Sequence, residues 1–387
     1  MPRNFELPAN WHQLAIKIDV PQPGMLRVSV GVSMIRPTVN DIAREAGVSL
    51  ATVDRVLNER PGVRQKTILA VTEAITKLGY VRDLAAANLA RQRNYRLAVV
   101  LPDASSQFLQ TLTAALQQAG NLATVARTET ILLRYSAEDV HALAALLATL
   151  PDMGVSGVAL MAPETPIVRD AVRSLKQQGI AVVALVSDLP STERDHFVGI
   201  DSFAAGSTAG VLMGRFLGGA ATRVMVLSES MLLRESIERR RGFDDVIGRN
   251  FPAIDVLPTL ETHGSAEILR AVVTEQLSGV SNIGAIYLLG GGHRALATAL
   301  DERGMLGKVV IIAHELTPHT RSALIAGHLD AVISQNVGHL ARSALRVLRA
   351  KADRAVIDAG QEQLRIEIII KENLLEEQPV MADIPFI

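Results

Sequence analysis

The side chains best suited to recognising another molecule lie in the run T-V-N-D-I-A-R-E-A-G-V-S-L-A-T-V-D-R-V-L-N, from Thr38 to Asn58. Arg55 carries a planar fork of donors that can give two hydrogen bonds to a guanine O6/N7 pair, worth about 1–3 kcal/mol of base discrimination. Leu50 and Ala51 can offer only apolar contact, for instance to a thymine methyl. Asp54 is repelled by phosphates unless its carboxylate accepts from a cytosine amine or pairs with Arg55. These residues act together only if one helix presents them to a DNA groove.

The spacing predicts that helix. Thr38 with Asp41 three residues on makes a capping-box-like start, and Ile42 and Ala46 share one face of the helix that follows. Gly47 turns the chain. Ser49 caps a second helix, whose buried face is read as Ala51 and Val56 with Val53 and Leu57 alongside. Two short helices joined by a tight turn have helix-turn-helix spacing. A third helix is expected over Gln65 to Leu78, after the turn Arg60 to Gly62, with the backbone amides of Val63, Arg64 and Gln65 facing phosphate. Charge agrees: residues 36–96 hold 11 Lys and Arg against 6 Asp and Glu, while the whole chain carries −1. A basic head on an acidic body suits phosphate contact by the head alone.

The other elements must supply a body. At 387 residues the chain has room for two or three domains, and its 48% hydrophobic content supports a large core. With no cysteine it can form neither a disulfide framework nor a thiolate zinc site, as in a reducing cytosol. No apolar run approaches the roughly 20 residues that span a bilayer. M-P-R-N-F-E-L-P-A-N-W has no signal-peptide core, so a cytoplasmic protein without membrane contact is expected. Residues 1–35, with Pro2, Pro8, Pro21 and Pro23, read as a disordered extension or as a short strand from Leu26 to Val32; Met34 is the expected true start.

From Arg96 onward apolar runs alternate with amphipathic stretches. Strands are read at Leu97, Gly157 to Met161, Ala181 to Leu185, Arg223 to Leu227, Ala285 to Leu289 and Val309 to Ala313, with a helix from Phe108. That is the βα repetition of an α/β fold with parallel sheets, and its length calls for two lobes. Ligands of such sheets bind beyond the carboxyl ends of the strands. Ser106, Gln107 and Phe108 follow the first strand, Asp201 follows H-F-V-G-I, and Gln335 with Asn336 ends a later strand. No G-x-G-x-x-G opens a helix after the body's first strand, and no P-loop occurs, so no nucleotide cofactor is expected. His263, His293, His314 and His319 lack metal-ligand spacing, and no metal is expected.

D-I-A-R-E-A-G-V-S at Asp41 to Ser49, A-T-V-D-R-V-L-N at Ala51 to Asn58 and L-G-Y at Leu78 to Tyr80 occur together and in order. In these the chain resembles the LacI/GalR family of bacterial transcription repressors, and the similarity continues more loosely to the C-terminus. The resemblance implies a helix-turn-helix domain over 36–82, a hinge helix or linker over 83–95, and a two-lobed periplasmic-binding-protein-like domain over 96–387 for effector binding and dimerisation. It implies DNA contacts by Thr38, Ser49, Leu50, Ala51, Thr52, Asp54, Arg55, Asn58 and Arg64. Leu89 stands where the family's hinge inserts a leucine into the minor groove, a wedge that bends the duplex. Ala87 replaces the usual basic residue there, which shifts that contact toward Arg91.

In the body, Arg239 matches the family arginine that grips sugar hydroxyls. Gly291 and Gly292, within G-G-G-H-R, replace a usual Asn-Asp pair, and His314 with Glu315 replaces a usual pair of aspartates. His314 and Glu315 could be a satisfied pair or an acid/base constellation. The resemblance thus implies a homodimeric, ligand-responsive repressor of a carbohydrate catabolic operon, not an enzyme. Its partners would be a near-palindromic operator and a sugar, polyol or sugar acid. Three rivals share parts of the pattern: a transport sugar-binding protein without a DNA role, an NAD-dependent oxidoreductase, and a ligand-independent DNA binder.

Overall fold

The computed structural model describes residues 37–57, 61–79, 94–103, 106–124 and 127–375. Contacts divide the chain into two units, split between Ala87 and Asn88.

The first unit holds three helices, α1 (Val39–Ala46), α2 (Leu50–Leu57) and α3 (Gln65–Leu78). Both the amide and the hydroxyl of Thr38 donate to the Asp41 carboxylate, at 2.9 and 2.7 Å. These bonds, the backbone one foremost, hold the Asp41 pKa below the ordinary carboxylate value. Gly47 ends α1 at φ 63°, a left-handed conformation that costs glycine little. Ile42, Ala43, Val53, Val71 and Ala74 form the buried core, with Ala46, Val48, Val56 and Leu57 partly buried against it. Lys77 and Glu45 join α3 to α1 by an exposed ion pair at 2.5 Å.

Ala51 is exposed, contrary to its expected place on the buried face of α2. The reason is angular. Val53 sets that face, and a residue two positions away lies about 200° around an α-helix, whereas Val56 and Leu57 lie within about 60°.

The second unit is two α/β lobes. The first lobe's sheet runs β2-β1-β3-β4-β5, all parallel, from β1 (Tyr95–Asp103), β2 (Thr128–Ser136), β3 (Gly157–Leu160), β4 (Ala181–Leu185) and β5 (His196–Val198). Its crossover helices are α4 (Gln107–Thr124), α5 (Val140–Thr149) and α6 (Pro166–Gln177). The second sheet runs β11-β10-β9-β8-β6-β7, from β6 (Thr222–Ser228), β7 (Ile254–Glu261), β8 (Ile283–Leu288), β9 (Val310–His314), β10 (Ala331–Ser334) and the antiparallel β11 (Glu367–Ile369). Helices α7 (Ser202–Phe216), α8 (Arg234–Asn250), α9 (Ala266–Gly279), α10 (His293–Asp301) and α11 (Pro318–Ile325) belong to it. β3 and β4 are buried along their whole length, because helices cover both faces of the sheet.

The chain passes between lobes three times. It leaves the first lobe after β5, returns after β10 as α12 (Val337–Ala352), which packs on α4, β3 and β4, and reaches β11 after a short α13 (Ala359–Glu362). α7 and α8 meet backbone to backbone. A Cβ on Gly206 would stand 1.9 Å from the Arg239 carbonyl oxygen, and one on Gly242 2.0 Å from that of Phe203. Only glycine permits this approach, and it fixes Arg239 relative to α7.

Candidate functional site

On α2 the Ser49 hydroxyl accepts from the Thr52 amide at 3.2 Å and bonds the Thr52 hydroxyl at 2.9 Å, so this pair caps the helix start. Leu50, Ala51 and Arg55 are exposed, Thr52 and Asp54 half-buried. Leu50 leaves 51% of its surface in water, an unusual cost for a leucine that nothing in its own unit covers. Thr38 is exposed with its hydroxyl committed to Asp41. Arg64 is the N-terminal cap residue of α3, and its side chain is exposed and makes no cap hydrogen bond. Asn58, Leu89 and Arg91, the expected hinge helix over Asp83 to Arg93, and the expected extension 1–35 lie outside the described residues.

In the body, segments just beyond C-terminal strand ends of the two lobes touch, Glu164 after β3 with Arg234 after β6 and Gln107 after β1 with His319 after β9. Two residues just beyond a strand adopt left-handed backbone without being glycine: Val186 after β4, at φ 64°, and Glu315 after β9, at φ 67°. Val186 is β-branched, so this conformation is strained by about 1–3 kcal/mol. Each is pinned by an amide bond to a neighbouring strand, Val186 to the Val198 carbonyl at 3.0 Å and Glu315 to that of Ile333 at 2.8 Å.

Around Glu315 lies a buried polar cluster. Arg239 donates from Nη2 to Glu315 Oε1 at 2.7 Å and from Nη1 to the Leu289 carbonyl at 2.8 Å; Gln335 Nε2 donates to the same Glu315 oxygen at 3.2 Å. Arg239, Glu315 and Gln335 are 4%, 6% and 2% exposed. Burial pushes the Glu315 pKa up, and the neighbouring Arg239 only partly offsets it. His314 points elsewhere. Its Nε2 meets the Tyr287 hydroxyl at 2.7 Å, Tyr287 stacks on Phe243 at 4.3 Å, and burial holds the imidazole neutral with its pKa well below the usual value. His314 and Glu315 are therefore not an acid/base couple with each other.

Besides Ser187 Oγ and His314 Nδ1, four buried polar atoms of this cluster have no hydrogen-bond partner: Arg239 Nε, Glu315 Oε2, Gln335 Oε1 and Glu235 Oε2. An unmade bond of this kind costs about 1–3 kcal/mol, so their gathering at one place marks a surface shaped for something that supplies the missing partners. At the mouth, Glu164 of the first lobe meets Arg234 of the second at 3.0 Å, and the His319 amide donates to Gln107 Oε1 at 3.2 Å. The rings of His293 and His319 lie 5.7 Å apart, and burial followed by the neighbouring His319 lowers the His293 pKa to about 4.

Of the other expected residues, Ser106, Gln107 and Phe108 are half-buried at the start of α4. Asp201 is exposed, and its carboxylate accepts from the Ala204 amide at 2.9 Å as the cap of α7. Gly291 and Gly292 are exposed; a Cβ on Gly291 would stand 2.1 Å from Glu229 Oε1, so the loop needs glycine to approach that carboxylate.

Sequence reading missed Glu229, Glu235, Ser187, Tyr135 and the Glu164–Arg234 pair. Burial raises the Glu229 pKa, against the bond it accepts from the Gly291 amide. Burial and then the Glu235 charge raise that of Tyr135, whose hydroxyl donates to the Met161 carbonyl at 3.1 Å. The strand-end rule applied to Arg223 to Leu227 would have pointed to Glu229. Tyr135 sits on β2, a strand the sequence reading did not identify.

Two α/β lobes with three crossings between them, their strand ends lining one cleft, define a bilobal ligand-binding domain, here preceded by a separate helix-turn-helix unit. The chain belongs to the periplasmic binding protein domain family, whose model matches residues 97–355, and residues 38–83 match the model of bacterial regulatory proteins, lacI family. The HTH-type transcriptional regulator RegA of Clostridium saccharobutylicum is 40% identical over 85 residues, 22% of this chain and 26% of that protein. Catabolite control protein A of Priestia megaterium is 32% identical over 164 residues, 42% and 47% of the two chains. The chain thus spans about half or less of the length of these relatives. Among solved structures, GanP, a glucose-galactose binding protein from Geobacillus stearothermophilus, is similar with a TM-score of 0.65 at 18% identity, over 73% of this chain and 99% of that one. A putative LacI transcriptional regulator from Bacteroides fragilis gives 0.64 at 15%, over 73% and 98%. At such identities these two show the fold alone. No described helix is long and apolar enough to cross a membrane.

Proposed function

We propose that the protein is a ligand-responsive, sequence-specific DNA-binding transcription regulator, a repressor of a carbohydrate catabolic operon. The observation that carries this is the pairing, in one chain, of a capped helix-turn-helix whose α2 exposes Leu50, Ala51 and Arg55 with a cleft that buries unpartnered polar atoms. The head reads DNA and the body reads a small molecule. Two heads in a homodimer bind half-sites of a near-palindrome, since two-fold protein symmetry calls for two-fold symmetry in the site. The effector belongs to the carbohydrate class, in keeping with the relatives named catabolite control protein A and HTH-type transcriptional regulator GalR, the latter, of Salmonella typhimurium, being 41% identical over 81 residues. The work is done in the cytoplasm and needs no catalysis, cofactor or metal.

Selection of the protein against a random duplex pool, followed by affinity as a function of salt, tests the reading. Recovery of a palindrome whose affinity falls steeply with salt supports it. If nothing is enriched, with or without a panel of sugars present, the DNA-reading role is wrong and the protein is a binding protein with a different head.

A further inference from the structure

Among the described residues, the cleft holds more negative charge and more buried acceptors than its buried arginine can answer. Glu315 is paired with Arg239, but Glu229, directly after β6, and Glu235, in the first turn of α8, make no ion pair. Glu235 is 7% exposed. Glu235 lies one helical turn before Arg239 on the same face of α8, Arg239 bonds both Glu315 and the Leu289 carbonyl, and Glu229 lies against Gly291 two residues further on, which places three carboxylates around one small region. Three acceptors of this cluster, Glu235 Oε2, Glu315 Oε2 and Gln335 Oε1, have no donor, against one unpartnered donor within it, Arg239 Nε; the Ser187 hydroxyl, at a strand end of the other lobe, can donate or accept.

A carboxylate or phosphate on a ligand would add repulsion and leave those acceptors unsatisfied. A neutral sugar brings hydroxyl donors but leaves the surplus charge in a dry site. An ammonium group brings three donors and the missing positive charge together. We infer that the effector is a polyhydroxylated molecule bearing a protonated amine, of the amino-sugar or amino-polyol class, with the ammonium held among Glu229, Glu235 and Glu315. This rests on the reading of the cleft as the effector site.

Two measurements on the full chain test it. The first needs no ligand: Glu229→Gln keeps an acceptor for the Gly291 amide while removing a half-buried charge that makes no ion pair, so the variant should melt higher than the parent at pH 8. A lower melting point overturns the claim of surplus charge. The second is calorimetry with glucose, galactose and mannose, each as the parent sugar, the 2-amino-2-deoxy sugar, the uronate and the 6-phosphate. The amine form of the skeleton that binds should be at least tenfold tighter than its neutral form. Because an ammonium favours ionised carboxylates, its binding should also release protons, read from the difference between phosphate and Tris buffers. Equal or tighter binding of the neutral or anionic form overturns the inference. Silence from all twelve compounds with a higher-melting Glu229→Gln would keep the surplus charge but reject a hexose-derived effector, and with it both this inference and the carbohydrate reading.

Discussion

Replacing Glu315 by leucine should cost the body about 3–5 kcal/mol, the usual loss when one partner of a buried ion pair is removed and the other stays. Arg239 and Glu315 meet at 2.7 Å, with side chains 5% and 8% exposed, so little water is at hand to solvate the guanidinium left behind. That group would keep the Leu289 carbonyl at 2.8 Å, while its Nε already lacks a partner. Leucine and glutamate would share the same left-handed backbone at residue 315, so strain there changes little between the two. In a unit of this size 1 kcal/mol moves the melting midpoint by about 2–4 °C, which makes the expected drop on the order of 10 °C. Arg239→Met should cost somewhat less, since a buried carboxylate can take up a proton and still receive the Gln335 amide at 3.2 Å. The double variant replaces both charges with apolar groups and should recover most of the loss, giving a coupling of roughly 2–4 kcal/mol in a cycle of urea and thermal melts at pH 7. Additive losses, with coupling below about 0.5 kcal/mol, would refute the view of the pair as one buried unit. The ligand would then face an arginine free to grip it, not the atoms the pair leaves over.

The other predictions can be checked more briefly. Gly206→Ala forces α7 away from the Arg239 carbonyl that lies 1.9 Å from the new Cβ, and denaturant melts should show a loss of about 1–3 kcal/mol or more; an unchanged midpoint would mean the helices slide apart freely. Arg55→Ala should relax specificity at one base pair of each half-site by about 1–3 kcal/mol, whereas Arg64→Ala should weaken all duplexes alike and reduce the salt slope by about one. Equal losses on cognate and random duplexes for Arg55→Ala would sink its base-reading role. His314 is kept neutral in the fold but takes a proton when unfolded below the ordinary value of 6.5, so the folded state loses stability as pH falls from 6.5. The slope approaches about 1.4 kcal/mol per pH unit well below 6.5, and His314→Gln should flatten the acid limb by about 1 kcal/mol between pH 6.5 and 5.5.

What the sequence made legible follows from how each element carries its information. α1 and α2 could be placed because their signals are local: a hydroxyl and a carboxylate three residues apart, a glycine, then Ser49. The strands found early, such as Ala181 to Leu185, are buried on both faces and read as unbroken apolar runs. β2, β5, β7 and β11 lie at sheet edges or beside them, with half-exposed residues or only three positions, so no run announces them. Arg239, Glu315 and Gln335 could be singled out from strand ends and family positions, but not that they meet, since their pairing joins residues 76 and 20 positions apart. Glu235 escaped notice because a glutamate in the first turn of a helix is ordinary, and its burial is set by tertiary packing that local sequence does not show.

The unpartnered atoms also bear on how binding could change shape. The lobes touch at Glu164 with Arg234 and at Gln107 with the His319 amide, and behind those contacts Arg239 Nε, Glu235 Oε2, Glu315 Oε2, Gln335 Oε1 and Ser187 Oγ have no partner. At about 1–3 kcal/mol each, closure without a ligand is disfavoured by on the order of 5–15 kcal/mol relative to an arrangement in which water reaches them. Against this stand one half-exposed ion pair, worth about 1 kcal/mol or less, and one hydrogen bond of similar size. A ligand that satisfies the atoms removes the penalty, and about 5.5 kcal/mol of such differential binding carries a two-state equilibrium from 1:99 to 99:1. The radius of gyration from small-angle scattering should therefore fall when effector is added. Arg234→Ala should leave the ligand-free radius unchanged, because the rim pair is too weak to hold the lobes shut. A ligand-free protein already as compact as the liganded one would show that the polar atoms are satisfied by some other means, and that closure does not drive the response.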